Sequence, residues 1–306
     1  MNVIATSPSF SKSLKIQNEI LKYFPNIKLN LEGKRFNKEE LIEYIKDADA
    51  IIVGLETIDK EVLDKCSNLK IISKYGVGLN NIDLDECKKR DIKIGWTGGV
   101  NKLSVAEMVL GFMLMLSRNL FITSNELKNG TWNKSGGFQL TGKTIGIIGV
   151  GHIGKELIRL LKSFGCEILV NDIINQDEYY RENNLQELTK AELFAKSDVV
   201  TIHTPHSENT DNLVDLNVFK SMKKTAFIIN TARGGIINEQ DLKYALQNNI
   251  IAGAAIDTYL VEPPIDKELI SLPNLICTPH IGGNSKEAVE AMGLSAIRHL
   301  KEFFNK

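Results

Sequence analysis

The sequence predicts an α/β protein built from two doubly wound, parallel-sheet units, and three observations carry that expectation. Short apolar runs alternate with stretches of helical spacing twice over, once up to about residue 97 and again from Thr144. A G-x-G-x-x-G motif, Gly149-Val-Gly151-His-Ile-Gly154, stands between an apolar run and an amphipathic stretch. The 306 residues suffice for two domains at roughly 100 to 200 residues each.

In the first half, residues 2–5, 27–31, 50–54, 69–73 and 92–96 read as buried strands. Residues 11–23, 37–45, 59–65 and 84–90 carry apolar side chains at helical spacing, with Asn37 and Glu40 placed as an N-cap and its partner three residues on. Strict alternation implies parallel strands joined by right-handed crossovers.

A longer helix follows, opened by Ser104-Val-Ala-Glu107 as a capping box and running to about residue 119. Met108, Val109, Leu110, Phe112, Met113, Leu114 and Met115 make it apolar on nearly every side, so it is expected to be buried all round, in the core or in a subunit interface. A homodimer is the expected assembly.

The second alternation places strands at 144–149, 167–171, 199–203, 226–230, 251–256 and 275–277. Helices fall at 153–164, 185–196, 216–222 and 239–247. The last segment, 285–304, is a helix able to cross back onto the first unit.

Composition narrows the function. Apolar residues at 43% and charged residues at 25% describe a chain with a real core, not a disordered one. Lys plus Arg (37) balance Asp plus Glu (38), so nucleic acid and anionic membrane surfaces are not expected partners. Cys66, Cys87, Cys166 and Cys277 are widely spaced, which points to reduced thiols in the cytoplasm and to no metal site. The longest apolar stretch, 105–116, is interrupted by Glu107 and falls short of the ~20 residues of a membrane span. No secretory signal is visible at the start, so the Asn133-Lys-Ser135 sequon reads as a surface loop.

Each glycine of the motif has a physical task. Gly149 makes the tight turn, Gly151 lets backbone approach a pyrophosphate, and Gly154 lets helix and strand pack closely. Asp172 ends the next strand, roughly 20 residues beyond, where a carboxylate accepts hydrogen bonds from ribose hydroxyls and repels a 2′-phosphate. NAD is the expected cofactor. Gly137-Phe-Gln-Leu-Thr-Gly142-Lys143-Thr144 spells a P-loop, but it leads into a strand where a P-loop must open a helix, so nucleotide hydrolysis is rejected.

Three further residues lie in loops just past strand ends, flanked by Gly or Pro: Arg233, Glu262 and His280. Arginine there can clamp a carboxylate bidentately, histidine can move a proton near neutral pH, and a carboxylate beside it would fix its orientation. Singly, each reads as an ordinary surface or turn residue. Together they are the groups needed to exchange a hydride with a 2-hydroxy acid. His206 and His299 read as structural, and His152 matters through its backbone amide.

The sequence resembles the D-isomer-specific 2-hydroxyacid dehydrogenases, and most closely their 3-phosphoglycerate dehydrogenase branch, over nearly its whole length. The resemblance rests on Lys74-Tyr-Gly-Val-Gly-Leu-Asn-Asn-Ile-Asp83, Asn101, Ser104-Val-Ala-Glu107, the segment from Leu140 to Gly154, Asn230-Thr-Ala-Arg-Gly-Gly235, Ala255-Ile-Asp-Thr-Tyr-Leu-Val-Glu-Pro263 and Thr278-Pro-His-Ile-Gly-Gly283.

That resemblance implies an NAD-binding Rossmann domain (99–283) inserted in a flavodoxin-like substrate-binding domain (1–98 and 284–306), a dimer built around the helix from Ser104, and hinge closure near Thr97 and Gly283. It implies a catalytic triad of Arg233, Glu262 and His280, with substrate contacts from Lys74, Val77, Gly78, Asn101 and Arg233. Cofactor contacts would come from Gly149, Gly151, His152, Ile153, Gly154, Asp172, Thr204, Thr231, Ala232, Asp257 and Gly282, with Asp257 at the nicotinamide carboxamide.

The implied activity is hydride transfer between NAD and a D-2-hydroxy acid, 3-phosphoglycerate first. Hydroxypyruvate or glyoxylate reduction and a non-enzymatic, corepressor-like NAD sensor are the alternatives. Formate enzymes of this fold pair the histidine with glutamine, which Glu262 speaks against. Lys74 stands where phosphoglycerate enzymes more often carry arginine, and Asn80 where the family usually has aspartate. The chain stops at Lys306, so feedback by serine through a further regulatory domain is not expected.

Overall fold

Apolar runs rich in Ile and Val become parallel strands in both halves of the chain. The computed structural model describes residues 1–306, which divide into two units: Met1–Asn101 with Asn284–Lys306, and Lys102–Gly283.

The first unit holds β1 (Val3–Ala5), β2 (Lys28–Leu29), β3 (Ala50–Val53), β4 (Ile71–Lys74) and β5 (Lys93–Gly95) in the order β2-β1-β3-β4-β5, all parallel. This is the flavodoxin-like order. Alternate residues serve opposite faces, as the period of two requires. Val3, Ala5, Ala50, Ile52 and Ile71 pack with Phe10, Ile16, Ile20 and the terminal helix, while Ile4, Ile51, Val53 and Ile72 pack with Leu41, Ile45, Val62 and Leu63. Both faces are therefore covered, which is why the strands read as continuous apolar runs.

Asn37 and Glu40 form the expected capping box of Lys38–Ile45. The terminal helix Lys286–Phe304 lies so close to helix Leu14–Ile20 that a Cβ on Gly293 would come within 2.3 Å of Ile16. Ser73 adds a hydrogen bond to the Ala296 carbonyl at 2.8 Å. The expected helix at 11–23 is two helices, Pro8–Lys12 and Leu14–Ile20, because Ser13 between them is extended (ψ 110°). Phe10, Ile16 and Ile20 all enter the same core layer, so apolar spacing alone conceals the break.

The second unit holds β6 (Thr144–Ile148), β7 (Glu167–Asn171), β8 (Gln186–Glu187), β9 (Val199–Ile202), β10 (Phe227–Asn230), β11 (Gly253–Ile256) and β12 (Leu275–Cys277). Their order, β12-β11-β10-β9-β6-β7-β8, is the Rossmann order with a seventh strand added at the β11 edge. Ile145, Ile147, Val170 and Ile229 meet helices Lys102–Ser117 and His152–Leu161 on one face. Ile148, Leu169, Ile228 and Ala254 meet Leu193, Phe219 and Leu242 on the other.

Three local expectations need correction here. The helix expected at 185–196 resolves into helix Asp177–Glu182, the short β8 and helix Lys190–Lys196, whose start is fixed by a Thr189/Glu192 capping box. The long helix begins at Lys102, so Ser104 lies inside its first turn and its hydroxyl donates to the Gly282 carbonyl at 2.6 Å. That helix is not buried all round within the chain: Val105, Val109, Phe112 and Met113 are covered, whereas Leu103 is exposed and Leu110 and Leu114 are half-buried. Asn119, in the left-handed region (φ 53°), turns the chain into an unforeseen helix, Leu120–Lys128. No single helix is long and apolar enough to cross a membrane.

Candidate active site

The glycine motif opens at the carboxyl end of β6. Gly149 has φ +92°, and a Cβ there would lie 2.6 Å from the His203 carbonyl oxygen. Gly154 passes the Gly149 carbonyl so closely that its Cβ would meet the oxygen at 2.3 Å. Nothing lies within 4 Å of a Cβ built on Gly151, which leaves backbone accessible at the N-terminus of helix His152–Leu161, where no side chain caps the first amides. An uncapped, glycine-lined helix N-terminus suits a pyrophosphate.

Asp172, directly after β7, accepts hydrogen bonds from the Val150 amide (2.6 Å) and the Ile174 amide (3.0 Å). It therefore ties the glycine loop to the next strand end. Thr204, Thr231 and Thr258 each bury a hydroxyl with no protein partner at the ends of β9, β10 and β11. Orphaned polar atoms along this edge, together with the open Gly151 backbone, fit a dinucleotide of the NAD type, whose polar groups would satisfy them.

His203 was not foreseen as special. It is half-buried, its Nε2 lies 3.0 Å from the Thr201 hydroxyl, its enclosed Nδ1 has no protein partner, and desolvation of the ring pushes its pKa down to about 3. An unfolded histidine titrates near 6.5, so between pH 6.5 and 3 the unfolded chain takes up a proton that the folded chain refuses. This contribution is intact above pH 6.5 and falls as pH drops, by about 2 kcal/mol at pH 5. Urea unfolding at pH 7 and pH 5 checks it: His203→Gln should show a smaller loss than the native protein.

Arg233, Glu262 and His280 sit in the loops after β10, β11 and β12, three adjacent strands. Asn230 organises the first loop, accepting from the Ala232 amide (3.0 Å) and donating to the Arg233 carbonyl (2.8 Å). Gly234 follows because a Cβ there would meet the Tyr259 carbonyl oxygen at 2.0 Å. Arg233 is half-buried; burial lowers its pKa, and the charge of Glu262 opposes that shift.

Glu262 is held by the Tyr259 amide, which donates to Oε1 at 3.1 Å. Its two oxygens lie 2.9 and 2.8 Å from Nδ1 of His280. A carboxylate only accepts, so Nδ1 carries a proton, and Nε2 is the ring nitrogen that Glu262 does not hold. His280 itself has φ +54°, a strained conformation for a non-glycine residue, at the site where chemistry is expected.

The buried Asp257 holds that strain in place. Its Oδ1 accepts from the Thr278 hydroxyl (2.6 Å) and the Ile281 amide (2.9 Å), and its Oδ2 from the Gly282 amide (2.8 Å). Asp257 thus anchors the His280 loop on both sides, a role that the expected carboxamide contact did not include.

In the first unit, Lys74 ends β4 and is buried, with Nζ bonded to the Gly54 carbonyl (2.5 Å) and Asn81 Oδ1 (2.6 Å). Val77 and Gly78 follow in the loop, and Trp96 donates its indole N–H to the Val77 carbonyl at 2.9 Å. Asn101 is buried with Oδ1 unpaired. Asn81 lies within the Lys74–Asp83 motif, which assigns it no role, and Trp96 carries no motif, so the contacts reveal what both do.

Residues 110–282 match the family described as "D-isomer specific 2-hydroxyacid dehydrogenase, NAD binding domain". D-3-phosphoglycerate dehydrogenase of Methanocaldococcus jannaschii is 34% identical over 99% of this chain, and the match covers 57% of that relative's length. Hydroxypyruvate reductase of Thermotoga maritima is 33% identical over 89% of this chain and 90% of its own. Among solved structures, D-lactate dehydrogenase of Aquifex aeolicus, complexed with NAD and lactic acid, superposes with a TM-score of 0.85 at 25% identity, covering 100% of this chain and 96% of that one. The chain belongs to the D-isomer-specific 2-hydroxyacid dehydrogenases and carries that family's NAD-binding domain.

Proposed function

We propose that the protein is an NAD-dependent oxidoreductase that moves a hydride between the nicotinamide and C2 of a D-2-hydroxy acid. The paired contact of Glu262 with Nδ1 of His280, one strand away from the Arg233 loop, carries this reading. NAD supplies the hydride acceptor. Nε2 of His280 takes the C2 hydroxyl proton during oxidation and returns it during reduction, and Glu262 stabilises the imidazolium formed. Arg233 holds the substrate carboxylate through its fork of N–H donors, with Val77, Gly78 and Asn101 as further substrate contacts.

Loss of NADH absorbance on mixing with a panel of 2-keto acids tests the reading. Binding of NADH without turnover of any acid would favour a sensor instead. Arg233→Lys keeps the charge but loses the fork, so it should raise the KM for the keto acid about tenfold or more while NADH affinity stays. An unchanged KM would remove Arg233 from the carboxylate.

The names of the relatives point to D-3-phosphoglycerate or to hydroxypyruvate, and at the same oxidation state of C2 the two substrates are distinguished by one phosphate on C3. A homodimer joined along Lys102–Ser117 and Leu120–Lys128 is proposed from the incompletely covered Leu103, Leu110 and Leu114 and the exposed Leu120 and Leu127. Sedimentation equilibrium should give twice the 34.1 kDa chain mass, and the mass of one chain would overturn the dimer.

A further inference from the structure

The order β2-β1-β3-β4-β5 reverses direction between β1 and β3, and ligands of such sheets bind outside the carboxyl ends of the strands at that point. Two loops meet there. Thr6-Ser7 follows β1, and Gly54-Leu55-Glu56 follows β3, close enough that a Cβ on Gly54 would lie 3.1 Å from the Ser7 side chain. Glu56 is half-buried and folds back so that Oε2 accepts from the Gly54 amide at 2.9 Å. A carboxylate is therefore fixed in the crevice.

The cation on the adjoining strand is committed elsewhere. Lys74 is 5% exposed, and the Gly54 carbonyl and Asn81 Oδ1 hold its ammonium. Asn81 in turn donates to the Gly54 carbonyl (3.2 Å) and to the Glu56 carbonyl (2.6 Å). Lys74, Asn81 and the Gly54–Glu56 loop are joined in one hydrogen-bonded network. The charge of Lys74 goes to fixing the loop that displays Glu56, and a phosphate drawing Lys74 out would have to break that network beside a carboxylate of its own sign.

We infer that the first unit selects an unphosphorylated 2-hydroxy or 2-keto acid, with Glu56 as the residue that discriminates against a phosphate. The inference rests on the dehydrogenase reading and names its substrate class. Glu56 repels the phosphate dianion, and it accepts a hydrogen bond from a neutral donor such as the C3 hydroxyl of hydroxypyruvate. Discrimination of this kind comes from the repulsive element as much as from the attractive one.

The test is steady-state kinetics with NADH on hydroxypyruvate, glyoxylate, pyruvate and phosphohydroxypyruvate, for the native protein and for Glu56→Gln. The native protein should favour at least one unphosphorylated acid over phosphohydroxypyruvate by about 100-fold or more in kcat/KM. Glu56→Gln keeps the shape, and its Oε1 can still accept from the Gly54 amide. It should narrow the ratio about tenfold, through the KM for phosphohydroxypyruvate, with NADH affinity and melting temperature unchanged. Equal or better use of phosphohydroxypyruvate by the native protein, or an unmoved ratio in Glu56→Gln, overturns the inference and leaves the dehydrogenase reading standing. Turnover of none of the four acids defeats both.

Discussion

Replacing His280 by asparagine is expected to lower kcat by about 100-fold or more while NADH binding stays within experimental error. Asparagine is the informative substitute. It tolerates the left-handed backbone that His280 occupies at φ +54°, and its side-chain N–H can still donate to Glu262. What it loses is a nitrogen that takes and returns a proton near neutral pH. Single-turnover kinetics and NADH fluorescence titration separate the two effects. An equal loss of turnover and NADH affinity would mean that the imidazole is a structural piece of the loop, and an unchanged kcat would remove it from the chemistry.

Asp257→Asn should be the most damaging isosteric change in the second unit. With its amide oxygen left on Thr278 and Ile281, the amide nitrogen faces the Gly282 N–H; rotated, it satisfies Gly282 and orphans Ile281. Thr278 adapts to either arrangement because a hydroxyl both donates and accepts. One buried backbone donor is stranded in both cases, and a charge-assisted bond is lost. The expected cost is about 2–3 kcal/mol of stability. Since the same donors hold the His280 loop, kcat/KM should also fall about 100-fold. Urea unfolding and steady-state assays check the pair, and a native midpoint with native kinetics would refute the anchoring role.

Much of this site was legible because its chemistry lies where regular structure ends. Strands such as 144–148 and 227–230 announce themselves as apolar runs, and the Gly and Pro residues beside Arg233, Glu262 and His280 mark loops at their carboxyl ends. The polar β8 has two residues and no apolar period, so it was invisible. Asn119 turns the chain without glycine or proline, and hid the helix after it. The role of Asp257 depends on donors more than twenty positions away, and that of Lys74 on a buried amine, where a lysine in sequence reads as an exposed charge. Spacing finds groups that act in loops; it does not find the partners that hold those loops still.

The bond from Trp96 to the Val77 carbonyl also gives the chain an optical sensor of its own. The sequence has only two tryptophans, and Trp132 is 77% exposed. In a Trp132→Phe background, the remaining emission reports on an indole fixed to the Val77–Gly78 loop proposed to contact the substrate. Arrival of a keto acid at that loop can then be followed by light, without turnover and without a label.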